Sequence, residues 1–214
     1  MQLVLTTTTP SNSIYINESG APKYKVNTPL KLHDRTTAIS RISADGHEAE
    51  AEEGVQFASL VHINWHLAES SVIRFQGHKY PTHDFFRKVG WGWYGRSHRH
   101  RVFTALDGKE YKWILSAYTS QASAPTHNTN FIHSSHTMEQ LKMNDDTETL
   151  VACYRPKKLG LVHIISCENC FYTSLKVFPQ FEHMLDKILV MFVYIERIRK
   201  SKERAVRSPT LLNK

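Results

Sequence analysis

The stretch FPQFEHMLDKILVMFVYIERIRK, residues 178–200, decides the fold. Pro179 suits the first position of a helix, where a missing N–H loses no hydrogen bond. Glu182 and Asp186 put negative charge in the first turns, where the helix dipole favours it. From Phe181 to about Arg204 the residues are good helix formers. Met184, Leu185, Ile188, Leu189, Val190, Met191, Phe192, Val193, Tyr194, Ile195 and Ile198 cover every azimuth at about 100° per residue. A surface helix shows one apolar stripe, whereas a helix apolar all round is surrounded. The longest unbroken run, Ile188 to Ile195, rises only roughly 12 Å against the ~30 Å of a bilayer core. Protein, not lipid, must therefore enclose it.

What encloses it has to come from the preceding residues, which read mostly as strands. Ser13–Asn17 alternates, with Ile14 and Ile16 on one face. Glu18-Ser19-Gly20 turns the chain, and Lys23–Val26 follows with Tyr24 and Val26 together, a hairpin with a loop longer than two residues. Thr36–Ile42 is a further strand. Leu60–Leu67 alternates most cleanly, with Val61, Ile63, Trp65 and Leu67 opposite His62, Asn64 and His66. Val72–Phe75 is a strand and Pro81–Val89 a short helix anchored by Phe85 and Phe86. Arg101–Ser116 reads as a hairpin about a type I′ turn at Asp107-Gly108, placing Val102 opposite Trp113, Thr104 opposite Tyr111 and Phe103 opposite Lys112. Leu150–Tyr154, Leu161–Ser166 and Phe171–Phe178 complete the set.

These elements predict a mostly-β (β+α) fold, an antiparallel barrel or strongly curved sheet enclosing one hydrophobic C-terminal helix. Closure also removes exposed sheet edges. An α+β sandwich with the helix between two sheets is the competing arrangement. The domain expectation is a single unit over 1–204, with an acidic loop at 43–54 (SADGHEAEAEEG lies within it), a polar loop insertion at 117–139 and a flexible basic tail at 205–214.

The chain has 214 residues, 41% hydrophobic and 22% charged, which suits one folded domain and excludes wholesale disorder. Three cysteines exclude a disulfide framework. The N-terminus, MQLVLTTTTP, has no basic segment and only a short apolar one, unlike a secretory signal. An intracellular, cytoplasmic setting is the resulting expectation. The net charge of +7 permits an anionic partner.

Catalytic motifs are not evident. Cys167 and Cys170 have CxxC spacing but lie between strand-like runs, where Glu168-Asn169 serves as a turn; Cys153 and His163 are the only obvious further ligands. His62 and His66 on one strand stand roughly 13 Å apart, too far to share a metal. His98, His100, His127, His133 and His136 lie in loop-like sequence without regularly spaced partners. The glycines of GWGWYG at 90–95 resemble a phosphate loop only superficially, because Trp91 and Trp93 are too bulky for close approach. No cofactor is called for. Basic residues cluster at Arg87–Arg101, Arg155–Lys158 and Arg197–Arg207. Beside Trp91, Trp93 and Tyr94, the candidate anion-binding residues are Arg96, Arg99 and Arg101. The last cluster reads as cations at a helix C-terminus running into a solvated tail.

Several stretches together resemble a family of fungal proteins catalogued as domain of unknown function 6593: ESGAPKYKVNTP at 18–29, RTTAI at 35–39, VHINWH at 61–66, SSVIRFQG at 70–77, RVFTALDGKEYKW at 101–113 and the segment 178–200. The connection at 116–140 is longer and more polar than the family pattern, and RSHRH at 96–100 is richer in histidine. The family's layout is similar to the tubby-like and LURP-one-related barrels, which thread a hydrophobic helix through a closed antiparallel barrel. The resemblance implies that fold, and some relatives of the fold bind phosphoinositides or sit at membranes.

The functional expectation is an uncharacterised non-enzymatic binding or scaffold module. Its alternatives are peripheral binding to anionic phospholipid headgroups and, less well supported, a metal- or thiol-dependent enzyme. The partner is then an anionic lipid or a protein; nucleic acid is disfavoured because no recognition motif supports it. Deleting 117–139 is expected to leave a cooperative thermal transition, since loop-closure entropy changes by only about 0.6 kcal/mol per halving of length. Differential scanning calorimetry of the deletion variant checks this; loss of the transition would make the segment structural.

Overall fold

The structure, a computed structural model, describes residues 1–29, 35–43, 50–52, 55–66, 70–75, 77–89, 100–105, 107–114, 139–156 and 172–207. Fourteen strands belong to one antiparallel sheet: β1 (Gln2–Leu5), β2 (Ser13–Ile16), β3 (Pro22–Asn27), β4 (Arg35–Ile42), β5 (Glu50–Glu52), β6 (Val55–Trp65), β7 (Val72–Phe75), β8 (His78–Pro81), β9 (Arg87–Val89), β10 (His100–Thr104), β11 (Glu110–Ile114), β12 (Glu139–Met143), β13 (Leu150–Arg155) and β14 (Ser174–Val177). Two helices accompany them, α1 (Thr82–Phe85) and α2 (Leu185–Arg207), the second entered through a 3-10 segment, Pro179–Met184. The sheet order is β8-β7-β6-β4-β3-β2-β1-β14-β13-β12-β11-β10-β9, with β5 paired to β6. The two halves of the chain are joined where β1 lies between β2 and β14, with fully buried Leu3 opposite fully buried Leu175.

Nine consecutive residues of α2, Ile188 to Glu196, are buried. That is about 2.5 turns, more than one face of a helix can supply. Strands from both halves of the sheet contact this helix. Phe192 packs on Trp113 of β11 and Tyr154 of β13, with ring centroids at 6.0 and 4.6 Å. Tyr194 stacks on Trp65 of β6 at 5.5 Å and on Phe86 at 4.7 Å. Asp186 accepts hydrogen bonds from Tyr24 of β3 and, at 2.9 Å, from Arg41 of β4. The sandwich alternative fails, because the described strands form one sheet rather than two.

The strand path is open, which corrects the expectation of closure by pairing. Among the described residues β8 and β9 are not paired to each other. Between them lies α1, whose backbone groups are engaged helically (Phe86 N–H donates to Thr82 O at 3.1 Å). Aromatic rings occupy that position instead: Phe85 meets Tyr80 of β8 at 5.9 Å and Phe103 of β10 at 6.3 Å.

Local differences have local causes. The β10–β11 register pairs Val102 with Lys112, Phe103 with Tyr111 and Arg101 with Trp113, one residue away from the type I′ reading. The reason is the turn. Ala105 N–H donates to Lys109 O and Gly108 N–H to Ala105 O, Gly108 has φ +76°, and Asp107 does not have positive φ. This is a three-residue loop with glycine in the left-handed position, and its extra residue shifts every pair behind it. The Asp107 carboxylate is used locally, accepting from Lys109 N–H at 3.0 Å and Tyr111 O–H at 2.6 Å. On β2 the buried residues are Ser13 and Tyr15 rather than Ile14 and Ile16, and Tyr15 donates its hydroxyl to Pro10 O at 2.8 Å. Helix in 81–89 is limited to four residues, and Arg87–Val89 is strand. Within the expected acidic loop, Glu50–Glu52 pairs with β6. The strand reading at 161–166 and the 117–138 part of the polar insertion lie outside the described residues; Glu139 already begins β12. Helix α2 runs to Arg207, into the expected tail.

Phe192 is fully buried among Trp113 and Tyr154. Phe192→Ala is expected to lower stability by about 3–5 kcal/mol, the usual loss for a large core ring. Urea unfolding followed by near-UV circular dichroism measures this; a loss below about 1 kcal/mol would mean the ring is not packed on all sides.

Candidate anion-binding cleft

Beyond Tyr194 the exposed end of α2 forms one wall of a cleft of about 510 Å³. Opposite walls come from Thr9, Pro10 and Ser11 between β1 and β2, from Arg35 at the start of β4, and from Trp65 and His66 at the end of β6. The pairing of β4 with β6 sets Arg35 directly across from Trp65.

A directed hydrogen-bond chain fixes the loop wall. The Trp65 indole N–H donates to Thr37 Oγ1 at 2.7 Å, and Thr37 and Thr28 hydroxyls meet at 2.7 Å. Thr28 Oγ1 donates onward to Ser11 O at 2.9 Å. Since the Thr28 proton is committed to Ser11, the Thr37 hydroxyl is the donor to Thr28 and the acceptor from Trp65. Thr28 N–H also donates to Asn12 Oδ1 at 2.6 Å. With Thr37 fully buried and Thr28 nearly so, these bonds are worth keeping, because a buried unpaired polar group is expensive.

Among the described residues, Arg35, Arg197, Lys200 and Arg204 line the cleft together with the carboxylate of Glu196. That carboxylate is buried and engaged from its own helix: Arg199 forms a two-point pair with it, and the Lys200 ammonium lies 3.8 Å away. The Arg197 guanidinium lies over the Trp65 ring, 4.7 Å from its centroid, a cation–π arrangement. Burial, and then the neighbouring charges of Arg35 and Arg204, lower the Arg197 pKa. Arg35 and Arg204 are thus each near enough to act on Arg197. Arg197, Lys200 and Arg204 share a face because they sit at i, i+3 and i+7. That spacing was the available sequence signal, but the basic run around it read as a solvated helix end. Arg197 is in fact only partly exposed.

A second cavity, about 410 Å³, lies at the other end of α2 against Tyr24, Arg41 and Leu185. There Arg41 pairs with Asp186 at 2.9 Å, and the same carboxylate accepts from Tyr24, whose pKa is raised by burial and by that bond.

Of the three sequence-derived arginines, the described residues include Arg101 alone. Arg96 and Arg99 lie outside the described residues. Arg101 is on β10 and 5% exposed, facing inward near Tyr194, whose pKa is raised chiefly by burial and drawn back by a Thr82 hydrogen bond and the Arg101 charge. Cys167 and Cys170 also lie outside the described residues. Cys153 is buried, and burial raises its thiol pKa, away from what a nucleophile needs. His62 is exposed and within 3.1 Å of Ser59 Oγ, while His66 lies beyond the end of β6 in the cleft. Among the described residues no group of three His, Cys, Asp or Glu side chains is placed to hold a metal ion, and no helix is long and apolar enough to cross a membrane.

A family model described as "Family of unknown function (DUF6593)" matches residues 8–201. Neither the curated proteins nor the solved structures contain a match to the chain.

Thr37→Val keeps the shape of the side chain and removes the acceptor for Trp65. It is expected to lower stability by about 1–3 kcal/mol, the cost of a buried donor left unpaired. Equilibrium urea unfolding measures this, and an unchanged midpoint would show that the relay contributes nothing.

Proposed function

Since the chain belongs to the family of unknown function DUF6593, whose description assigns no activity, we propose its role from the cleft: it is a non-enzymatic binding or scaffold module that holds an anionic ligand at the exposed end of α2. The observation that carries this is the convergence of Arg35, Arg197 and Arg204 on one cleft where, among the described lining residues, the carboxylate of Glu196 is paired within its own helix. Guanidinium groups gathered around an open cleft can present paired N–H donors to an anion.

The same reading takes the sheet as an incompletely closed barrel around α2, in the manner of the tubby-like and LURP-one-related barrels. Support comes from the helix touching β3, β4, β6, β11 and β13, and from Phe85 touching both β8 and β10. A flat sheet cannot reach one helix from so many strands. The chain then has a rigid scaffold and a polar mouth, a common way of placing a binding site.

A second reading is peripheral binding to anionic phospholipid headgroups in the cytoplasm. It is favoured by the partly buried Trp65 beside Arg197 and by the three cysteines, too few and odd in number for a disulfide framework. Flotation with vesicles containing phosphatidylserine, compared with phosphatidylcholine alone, tests it. If lipid binds in the cleft, Arg197→Glu/Arg204→Glu is expected to weaken binding by up to about 1 kcal/mol per charge reversed, and binding is expected to fall with salt. Loss on reversing Arg96, Arg99 and Arg101 instead, with the cleft variant unaffected, would move the lipid site to that segment.

A further inference from the structure

We propose that Lys187, near the start of α2, is an acylation site, whose ε-amine takes an acyl group from a thioester and holds it as an amide. The proposal does not depend on the cleft at the other end of the helix.

The placement comes from α2 and α1 together. Lys187 is the third residue of α2 and immediately precedes the buried run Ile188–Glu196. It is itself partly buried. Its ammonium sits over the Phe85 ring of α1, 5.9 Å from the centroid. Phe85 packs in turn on Tyr80 of β8, on Phe86 and on Phe103 of β10, at 5.9, 5.2 and 6.3 Å. The amine therefore stands on an aromatic floor, at the segment that separates β8 from β9.

What the ammonium lacks is an acceptor. It carries three N–H donors, yet makes no hydrogen bond or ion pair with a described residue. Asp107, in the β10–β11 loop, is the carboxylate whose charge reaches it. That carboxylate is already engaged by Lys109 N–H at 3.0 Å and Tyr111 O–H at 2.6 Å. On its own helix, the residues one turn away are His183, Met184, Val190 and Met191, none of them acidic. A ring face attracts a cation but accepts no proper hydrogen bond, so partial burial here favours the neutral amine. Burial lowers the Lys187 pKa accordingly, against the opposing pull of Asp107. The neutral amine is the nucleophilic form.

An acyl thioester suits that nucleophile. The Nζ lone pair attacks the carbonyl carbon, a C–N bond forms and the C–S bond breaks. The departing thiolate takes up the proton that the nitrogen releases, so no oxidant or metal enters. The product is a neutral amide, and the charge that burial penalises is gone. An aldehyde would instead give an imine, which protonates again and restores the charge. Acylation also removes the cation above Phe85, the ring that touches both β8 and β10.

The test is competitive labelling of the full chain with a limiting amount of the acetyl thioester of N-acetylcysteamine, an uncharged donor. Acetylation is read lysine by lysine by mass spectrometry, with Lys79, exposed on β8, as the reference. At about pH 7.5 Lys187 is expected to react about threefold faster than Lys79, although it is the less exposed of the two. At about pH 10.5, near the ordinary lysine value, the ratio is expected to fall below one, because exposure then ranks the amines. Asp107→Asn keeps an acceptor for Lys109 and Tyr111 but removes the charge that holds the ammonium. It is expected to raise the ratio at pH 7.5 by about twofold, with near-UV circular dichroism confirming that the variant stays folded. A ratio at or below one at pH 7.5 would overturn the proposal. So would a ratio equal at both pH values, since exposure or donor binding would then set it, or a slower Lys187 in folded Asp107→Asn.

Discussion

Burial of the stretch Ile188–Glu196 of α2 is the constraint on which the rest depends. Nine residues in succession lose contact with water, and each apolar side chain among them gains roughly 1.5–3 kcal/mol only if something covers it. A single strand pair covers one face. Strands from both halves of the sequence meet the buried stretch, through Trp65 of β6, Trp113 of β11 and Tyr154 of β13. Hence β1, at the start of the chain, sits between β2 and β14 and lines the core with Leu3 and Leu5. The contribution of any one strand is meaningful only with the helix in place.

The same geometry separates the two ends of the helix. At the first turns, strands β3 and β4 bring Tyr24 and Arg41 onto Asp186, so a potential charge imbalance is settled inside the fold. At the far end, Arg197, Lys200 and Arg204 line a cleft with Arg35, Trp65 and the loop of residues 9–11. The loop itself is held by a relay of hydroxyls from Trp65 to Ser11, so the cleft wall is built by the same residues that seal the core beneath it. Rigid walls around a concentrated charge hold a small anion better than mobile ones, because little ordering remains to be done on binding.

Much of the strand inventory was legible. The alternation Val61, Ile63 and Trp65 does mark β6, and Val72–Phe75 is β7 residue for residue. The missed strands, β1, β5, β8, β9 and β12, are three to five residues long, and such runs carry too few periods to distinguish from a loop. Their pairing comes from neighbours distant in sequence. The register of the β10–β11 hairpin was wrong by one because Asp107-Gly108 suits both a two-residue and a three-residue turn. Only the bonds between Ala105 and Lys109 and the positive φ of Gly108 alone distinguish them. On β2, hydropathy favoured Ile14 and Ile16, yet Tyr15 is the buried ring because the Pro10 carbonyl is in reach of its hydroxyl.

By itself, the sequence determined that one long helix, with an unbroken apolar run too short for a bilayer, follows a chain made mostly of strands. Composition and periodicity are local properties, and they suffice for that. Only the tertiary structure decided which cations meet. Arg35 and Arg197 are 162 positions apart, and nothing in either local pattern refers to the other. Arg101 looked like a surface cation among loop residues and is instead buried beside Tyr194. Whether an arginine meets water, an aromatic ring or another arginine depends on which strands flank the helix end, and that follows from long-range pairing that residue spacing does not encode.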